Sequence, residues 1–220
     1  MSSFKNKLIV IFNRLSSGDI AYLINGFKKR LKSENLYFGL KRDLRVPFKI
    51  PDAKIDINVR LIEEKDQKYF SMTHTEDGLI YENIPDCFVA TTIEDEACFR
   101  QWFMRYAVKD KIESYFGDMF PTLKENEALL EGAFIPPAKR GLNIMEAGIC
   151  RILESFKNSD VRYVMTFVSI NNIASLKGIH RSGFSPYLLR TEKYFLFKKK
   201  VIFTQIPDNL LQHYLKSVSS

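Results

Sequence analysis

The residues best placed to do chemistry lie in one stretch, Glu131-Gly132-Ala133-Phe134-Ile135-Pro136-Pro137-Ala138-Lys139-Arg140-Gly141-Leu142-Asn143-Ile144-Met145. It reads as a strand over 128–135 that two prolines stop, then a basic loop, then a helix beginning near Leu142. A helix that starts out of such a loop leaves its first backbone N–H groups without intrahelical partners, and its dipole adds partial positive charge. With Arg140 as a fixed cation and Gly141 turning the chain, the segment predicts a pyrophosphate cradle built from the backbone of Gly141, Leu142, Asn143, Ile144 and Met145. Asn143 tolerates unusual backbone angles, whereas Met145 adds bulk where backbone would approach phosphate. Glu131 puts a carboxylate on the preceding strand, where it reads equally as a proton acceptor and as a solvent-facing side chain.

The next strand-to-helix crossing carries a second polar group, Asn172 and Ser175, followed by Gly183-Phe184. Asn172 stands where an N-cap belongs, a role whose loss costs about 1 kcal/mol. Gly183 suits a left-handed cap after a helix over 173–181.

Other reactive side chains are scattered. Cys87, Cys98 and Cys150 are an odd set with no CxxC spacing, which excludes a disulfide framework and a cysteine-based zinc site and points to a reducing compartment. His74, His180 and His213 never fall at ligand spacing, so no metal is expected. Trp102, with Phe99 and Phe103, either lines a pocket or is core, and burial preference favours core. Cys150, beside a buried helix face, reads as inert packing.

The elements that must position these residues are set by hydrophobic period. Residues 55–61 alternate apolar and polar, as a half-buried strand does, and 63–72 are more helical. Residues 87–92 and 97–104 flank an acidic turn and predict a β-hairpin, and 111–116 a helical turn. Met145, Ile149, Ile152, Leu153 and Phe156 mark one face of a helix, and the apolar run 162–168 marks a central strand. Residues 187–197 and 201–205 predict a closing hairpin around Lys198-Lys199-Lys200, and 207–215 a final helix. The order gives an α/β chain of α+β character, a central mixed sheet flanked by helices.

Charge divides the chain. Before Pro47 there are ten basic and three acidic residues, a surplus equal to the net +7 of the whole chain, while the remainder balances at 23 of each sign. The body is neutral, so no nucleic-acid partner is expected. Apolar clusters among the N-terminal lysines fit two short amphipathic helices, and Pro47 and Pro51 then punctuate the chain. The expected organisation is a basic, helical extension over 1–50 and a catalytic domain over 51–220. The extension could face an anionic membrane, dock an acidic carrier protein, or pack on the domain. No apolar run reaches the roughly 20 residues of a bilayer span, so a cytoplasmic protein, peripheral to a membrane at most, is expected. The sequence leaves the assembly state open, a dimer included.

The two polar groups together resemble the cofactor motifs of the GNAT acetyltransferase family. Arg140-Gly141 matches the head of the coenzyme A loop, and Asn172, Ser175, Gly183 and Phe184 match the later motif in spacing, with Leu176 and Arg181 also typical. The resemblance spans about residues 55–205. It implies an acyl-CoA N-acyltransferase fold in which two neighbouring strands splay and pantetheine lies in the opening, with Gly132 tolerating a bulge. It further implies acyl-CoA, most directly acetyl-CoA, as co-substrate and a small-molecule amine as acceptor, an amino sugar or amino-acid-like compound. Glu131 takes the position of the general base, the Ile135 backbone that of the thioester contact, and Asn172 and Ser175 that of the pantetheine contact. Many members carry a tyrosine acid seven residues after the motif asparagine, where this chain has Ile179; Tyr187, Tyr194, His180 or a water are substitutes. Two other readings keep the fold: transfer of a longer acyl chain from a carrier protein, and a non-catalytic module.

Overall fold

The structure, a computed structural model, describes residues 30–70 and 78–219. The described residues form two compact units, a larger one within 37–189 and 204–219 and a smaller one of residues 30–36 and 190–203. The strands are β1 (Lys32–Asp43), β2 (Asn58–Leu61), β3 (Cys87–Thr91), β4 (Ala97–Arg105), β5 (Glu127–Phe134), β6 (Tyr163–Ser169), β7 (Ser185–Phe195) and β8 (Lys198–Thr204). The helices named here are α1 (Lys109–Phe116), α2 (Ile144–Ser155), α3 (Ile173–Arg181) and α4 (Asp208–Ser219).

In the larger unit the strand order is β2-β3-β4-β5-β6-β1-β7. The pairs β2–β3, β3–β4, β4–β5 and β1–β6 are antiparallel, and β5–β6 is parallel. The sheet is therefore mixed, as expected from the sequence. Phe99 packs against Gly148 of α2, whose missing side chain lets helix and sheet approach, and Phe103 stacks on Phe156 with ring centroids 4.2 Å apart. Across the sheet Trp102 is fully buried and donates its indole N–H to the Ile84 carbonyl at 3.3 Å. The three aromatic residues of β4 are thus core. The helix α3, predicted to the residue, ends on Gly183 at φ +84.

One segment departs from expectation. Residues 32–43, assigned by their charge to a helical extension, form β1, and Tyr37 to Asp43 pair with Ser169 to Tyr163 of β6. The reason is burial: Phe38 and Leu40 are fully enclosed, and the Arg42 guanidinium donates to the Ser182 carbonyl at 2.7 Å. Phe38, Leu40 and Arg42 alternate into the core, a period of two that the Lys32, Lys41 and Arg42 charges had hidden. The rest of the expected N-terminal helices, residues 1–29, lies outside the described residues.

In the smaller unit, β7 and β8 are joined by Leu196 and Phe197 alone, both with positive φ (46 and 67). The turn therefore sits two residues earlier than predicted, and the three lysines belong to β8.

Candidate functional site

The larger unit holds Glu131, Ile135, Arg140 to Met145, Asn172 and Ser175. β5 and β6 pair over Glu127–Tyr163, Ala128–Val164 and Leu129–Met165, and the ladder then stops although β5 continues to Phe134 and β6 to Ser169. Past that point the two parallel strands run on without pairing to each other, so their facing backbone N–H and C=O groups are not committed to a shared ladder.

On its other edge β5 carries a bulge. Trp102 faces Glu131 and Arg100 faces Phe134, so two steps on β4 match three on β5, and Gly132 absorbs the extra residue at φ +71. The irregular register leaves the Glu131 carbonyl to a side-chain donor, the buried Gln101 amide, at 2.6 Å. A Cβ on Gly132 would lie 2.6 Å from the Trp102 ring, so packing as well as φ demands glycine there. The bulge thus fixes Glu131, half-buried, at the level where β5 and β6 have parted.

Below Phe134 the chain turns through Pro136 and a short helical turn, Pro137–Lys139. The Arg140 side chain reaches back to the Ile135 carbonyl at 3.3 Å, and Gly141 adopts φ +77 with nothing within 4 Å of the space a Cβ would fill. Asn143 is in the left-handed conformation at the N-cap of α2 and makes no side-chain cap hydrogen bond. The first N–H groups of α2, at Ile144 and Met145, therefore keep their open valence, beside the exposed Arg140. Met145 does not obstruct them: its methyl end lies against Gly178 of α3, where a Cβ would collide with it. The bulk that looked incompatible with phosphate is packed between helices. The Leu142 carbonyl accepts from the Lys54 N–H at 2.9 Å, which ties the loop to the segment before β2. The donor set and the open backbone fit a pyrophosphate-bearing co-substrate.

At the far wall, Asn172 caps α3 through Ser175 N–H to Oδ1 at 3.2 Å, so the capping role predicted for it is present. Ser175 itself is half-buried on the first turn.

No protein-family model matches the sequence, and no curated protein matches it. Solved structures do. The glucosamine N-acetyltransferase region of a fungal multidomain GH3 beta-N-acetylglucosaminidase aligns with a TM-score of 0.56 at 15% identity, over 81% of this chain and 23% of that one. A GNAT-family acetyltransferase from Colwellia psychrerythraea aligns at 0.50 and 14% identity, over 74% and 56%. A GCN5-related N-acetyltransferase from Sphaerobacter thermophilus aligns at 0.51 and 10%, over 84% and 57%. The fold is that of the GNAT acetyltransferases. This chain spans less than three fifths of the length of each of these three.

Within the GNAT fold, three features went unread in the sequence. Arg100 is almost completely buried, its guanidinium carbon 4.8 Å from the Trp102 ring centroid, 5.0 Å from Phe70 and 5.7 Å from Phe134, near the Glu131 bulge. An arginine inside an apolar strand was the available signal. Lys41 pairs with the buried Glu127 at 3.2 Å and lies over the Tyr187 and Tyr163 rings. The Tyr187 hydroxyl donates to the Met165 sulfur at 3.0 Å, and burial, with the Glu127 charge, raises it well above a phenol's ordinary range. Third, Tyr214 of α4 is buried against Phe38, with its hydroxyl 3.1 Å from His180 Nδ1, and burial pushes it up to about 12. Ile179, at the tyrosine position of the motif, is buried. Tyr194 lies in the smaller unit. The three thiols are free, buried and raised, Cys87 to about 12, by desolvation, so none is a thiolate nucleophile.

Proposed function

We propose that the protein is an N-acyltransferase that moves an acyl group, most simply acetyl, from acyl-CoA to the primary amine of a small molecule. The observation that carries this reading is the parting of β5 and β6 after Leu129–Met165, with a bulge-borne carboxylate on one wall and an open helix N-terminus with Arg140 at its end. Arg140 and the N–H groups of 141–145 hold the pyrophosphate; the Ile135 backbone, Asn172 and Ser175 line the path of the pantetheine arm. Acyl-CoA supplies an activated carbonyl carbon.

Glu131 takes a proton from the acceptor ammonium, directly or through a water. The freed nitrogen attacks the carbonyl carbon, a C–N bond forms, the C–S bond breaks, and the thiolate is protonated as it leaves. With Ile179 at the motif position, a water or a nearby hydroxyl supplies that last proton. We assign the acceptor to the amino sugars or amino-acid-like amines; the fungal region of similar fold is described as acting on glucosamine, which belongs to the first class. Three free, buried cysteines support a reducing, cytoplasmic location.

The test is thiol release with acetyl-CoA, longer acyl-CoAs and acylated carrier protein against an amine panel, paired with thermal shift. Coenzyme A at a hundred times its dissociation constant stabilises the fold by about 2.7 kcal/mol if it binds. Glu131→Gln lowers turnover on the order of 10²-fold while the coenzyme A shift persists. Unchanged turnover removes Glu131 as base, and no shift with coenzyme A leaves a non-catalytic module.

A further inference from the structure

The tip of the β7–β8 hairpin is built against the preferences of the chain. A two-residue turn with positive φ at both positions favours Asn-Gly, because larger side chains crowd the backbone there. This chain has Leu196 at φ 46 and Phe197 at φ 67. It then exposes them: Phe195 is 64%, Leu196 60% and Phe197 51% accessible, the only run of three large exposed apolar residues among those described. Their backbone is nonetheless held, Leu196 N–H to the Leu31 carbonyl at 2.9 Å and Phe197 N–H to the Arg30 carbonyl at 2.8 Å. A fixed tip that accepts an unfavourable turn in order to show apolar side chains has a role outside folding.

Charge indicates that role. Directly behind the tip come Lys198, Lys199 and Lys200, the first and third exposed. The described residues of this unit carry seven basic side chains (Arg30, Lys32, Arg190, Lys193, Lys198, Lys199 and Lys200) and two acidic ones. Both acids are already paired, Glu34 with Lys193 at 3.4 Å and Glu192 with Arg190 at 3.1 Å. The order along the hairpin, apolar tip and then cations, matches an anionic bilayer, whose acyl region lies deepest with the phosphates outside it. A tip of three side chains is also too small for the roughly 800 Å² that each partner gives to a stable protein interface, whereas insertion into lipid has no such threshold.

We propose that this hairpin tip is a membrane anchor: Phe195, Leu196 and Phe197 enter the interface of an anionic bilayer while Lys198, Lys199 and Lys200 sit among the lipid phosphates. The proposal is independent of the acyl-transfer reading and needs no turnover to test.

The full-length protein and two variants are sedimented with phosphatidylcholine vesicles containing or lacking phosphatidylserine, and melted in parallel. The parent binds the phosphatidylserine vesicles and weakens as salt rises through the range where the Debye length falls below about 10 Å. Replacing the tip (F195T/L196N/F197G) lowers binding by at least about tenfold, and K198Q/K199Q/K200Q weakens it and flattens the salt dependence. The tip variant melts at or above the parent temperature, because Asn-Gly relieves the turn. The proposal is overturned if the parent ignores anionic vesicles, as it would if the true partner were an acidic protein, or if the tip variant binds undiminished. A lower melting temperature for the tip variant also overturns it, since the apolar residues would then be covered by the chain's own N-terminal segment.

Discussion

Asp66 has no exposed surface, and a carboxylate in that position survives only because its donors are complete: Arg60 Nη1 at 2.6 Å, Arg60 Nη2 at 2.9 Å and the Glu63 N–H at 2.8 Å. Burial alone would raise its carboxyl; the Arg60 hydrogen bonds and the Glu63 N–H outweigh it, and the group is held below the ordinary carboxylate range. A folded value below the unfolded one means the stabilisation is complete above about pH 4 and is lost as pH falls through the depressed value. Asp66→Asn should therefore cost about 2 kcal/mol at pH 7, less than a fully buried pair because Arg60 is partly exposed. Melting curves of both proteins from pH 7 to pH 2.5 check this; a gap that stays constant on acidification would show that the charge of Asp66 is not what stabilises. The bond holds the helical turn Glu64–Tyr69, next to which Phe70 packs edge-on to Phe134. None of this was legible in the sequence, because the pairing depends on the fold bringing Arg60 of β2 against Asp66 of the following helical turn.

At the level of elements the strand β5 decides the candidate site, since its bulge on the β4 edge holds Glu131 just past the point where pairing with β6 stops. Gly132→Ala forces a side chain into left-handed backbone and a methyl against the Trp102 ring, which together cost about 3 kcal/mol. For a protein of this size that lowers the melting temperature by about 6–12 °C, and turnover should fall further than the lost stability explains because Glu131 is re-aimed. Calorimetry with single-turnover thiol release separates the two; an alanine variant of parental stability would mean the bulge is not under constraint. The strand, loop and helix around the bulge were readable because Pro136-Pro137 and Gly141 act through local sterics that sequence carries directly, while the bulge at Gly132 was expected only through the family resemblance. The open helix N-terminus was readable for the same reason. The placement of Met145 was not, since it depends on Gly178 from the next helix along the chain, and only packing brings the two together. The closing hairpin shows the same limit on a smaller scale: three lysines look like a turn, and a Leu-Phe pair does not, so propensity placed the turn among the lysines.

For the whole molecule the informative error is the N-terminal boundary. Charge and the prolines at 47 and 51 suggested that the folded body starts at about residue 51, yet β1 lies between β6 and β7 in the sheet, with Phe38, Leu40 and Leu44 in the core of the larger unit. Removing it would leave the β6 edge without its antiparallel partner from Tyr163 to Ser169, take from Tyr214 the ring that Phe38 packs against it, and free the Ser182 carbonyl and Cys150 from Arg42. An interior strand is not a removable extension: seven ladder positions and three large apolar side chains, the latter alone about 5–9 kcal/mol, are comparable to the margin of roughly 5–15 kcal/mol by which domains are stable. A fragment of residues 51–220 should accordingly show no cooperative thermal transition and should bind the dye ANS as exposed-core states do. If this fragment instead melts cooperatively near the full-length temperature, β1 is an accessory strand, and the domain closes its sheet by pairing β6 with β7 directly.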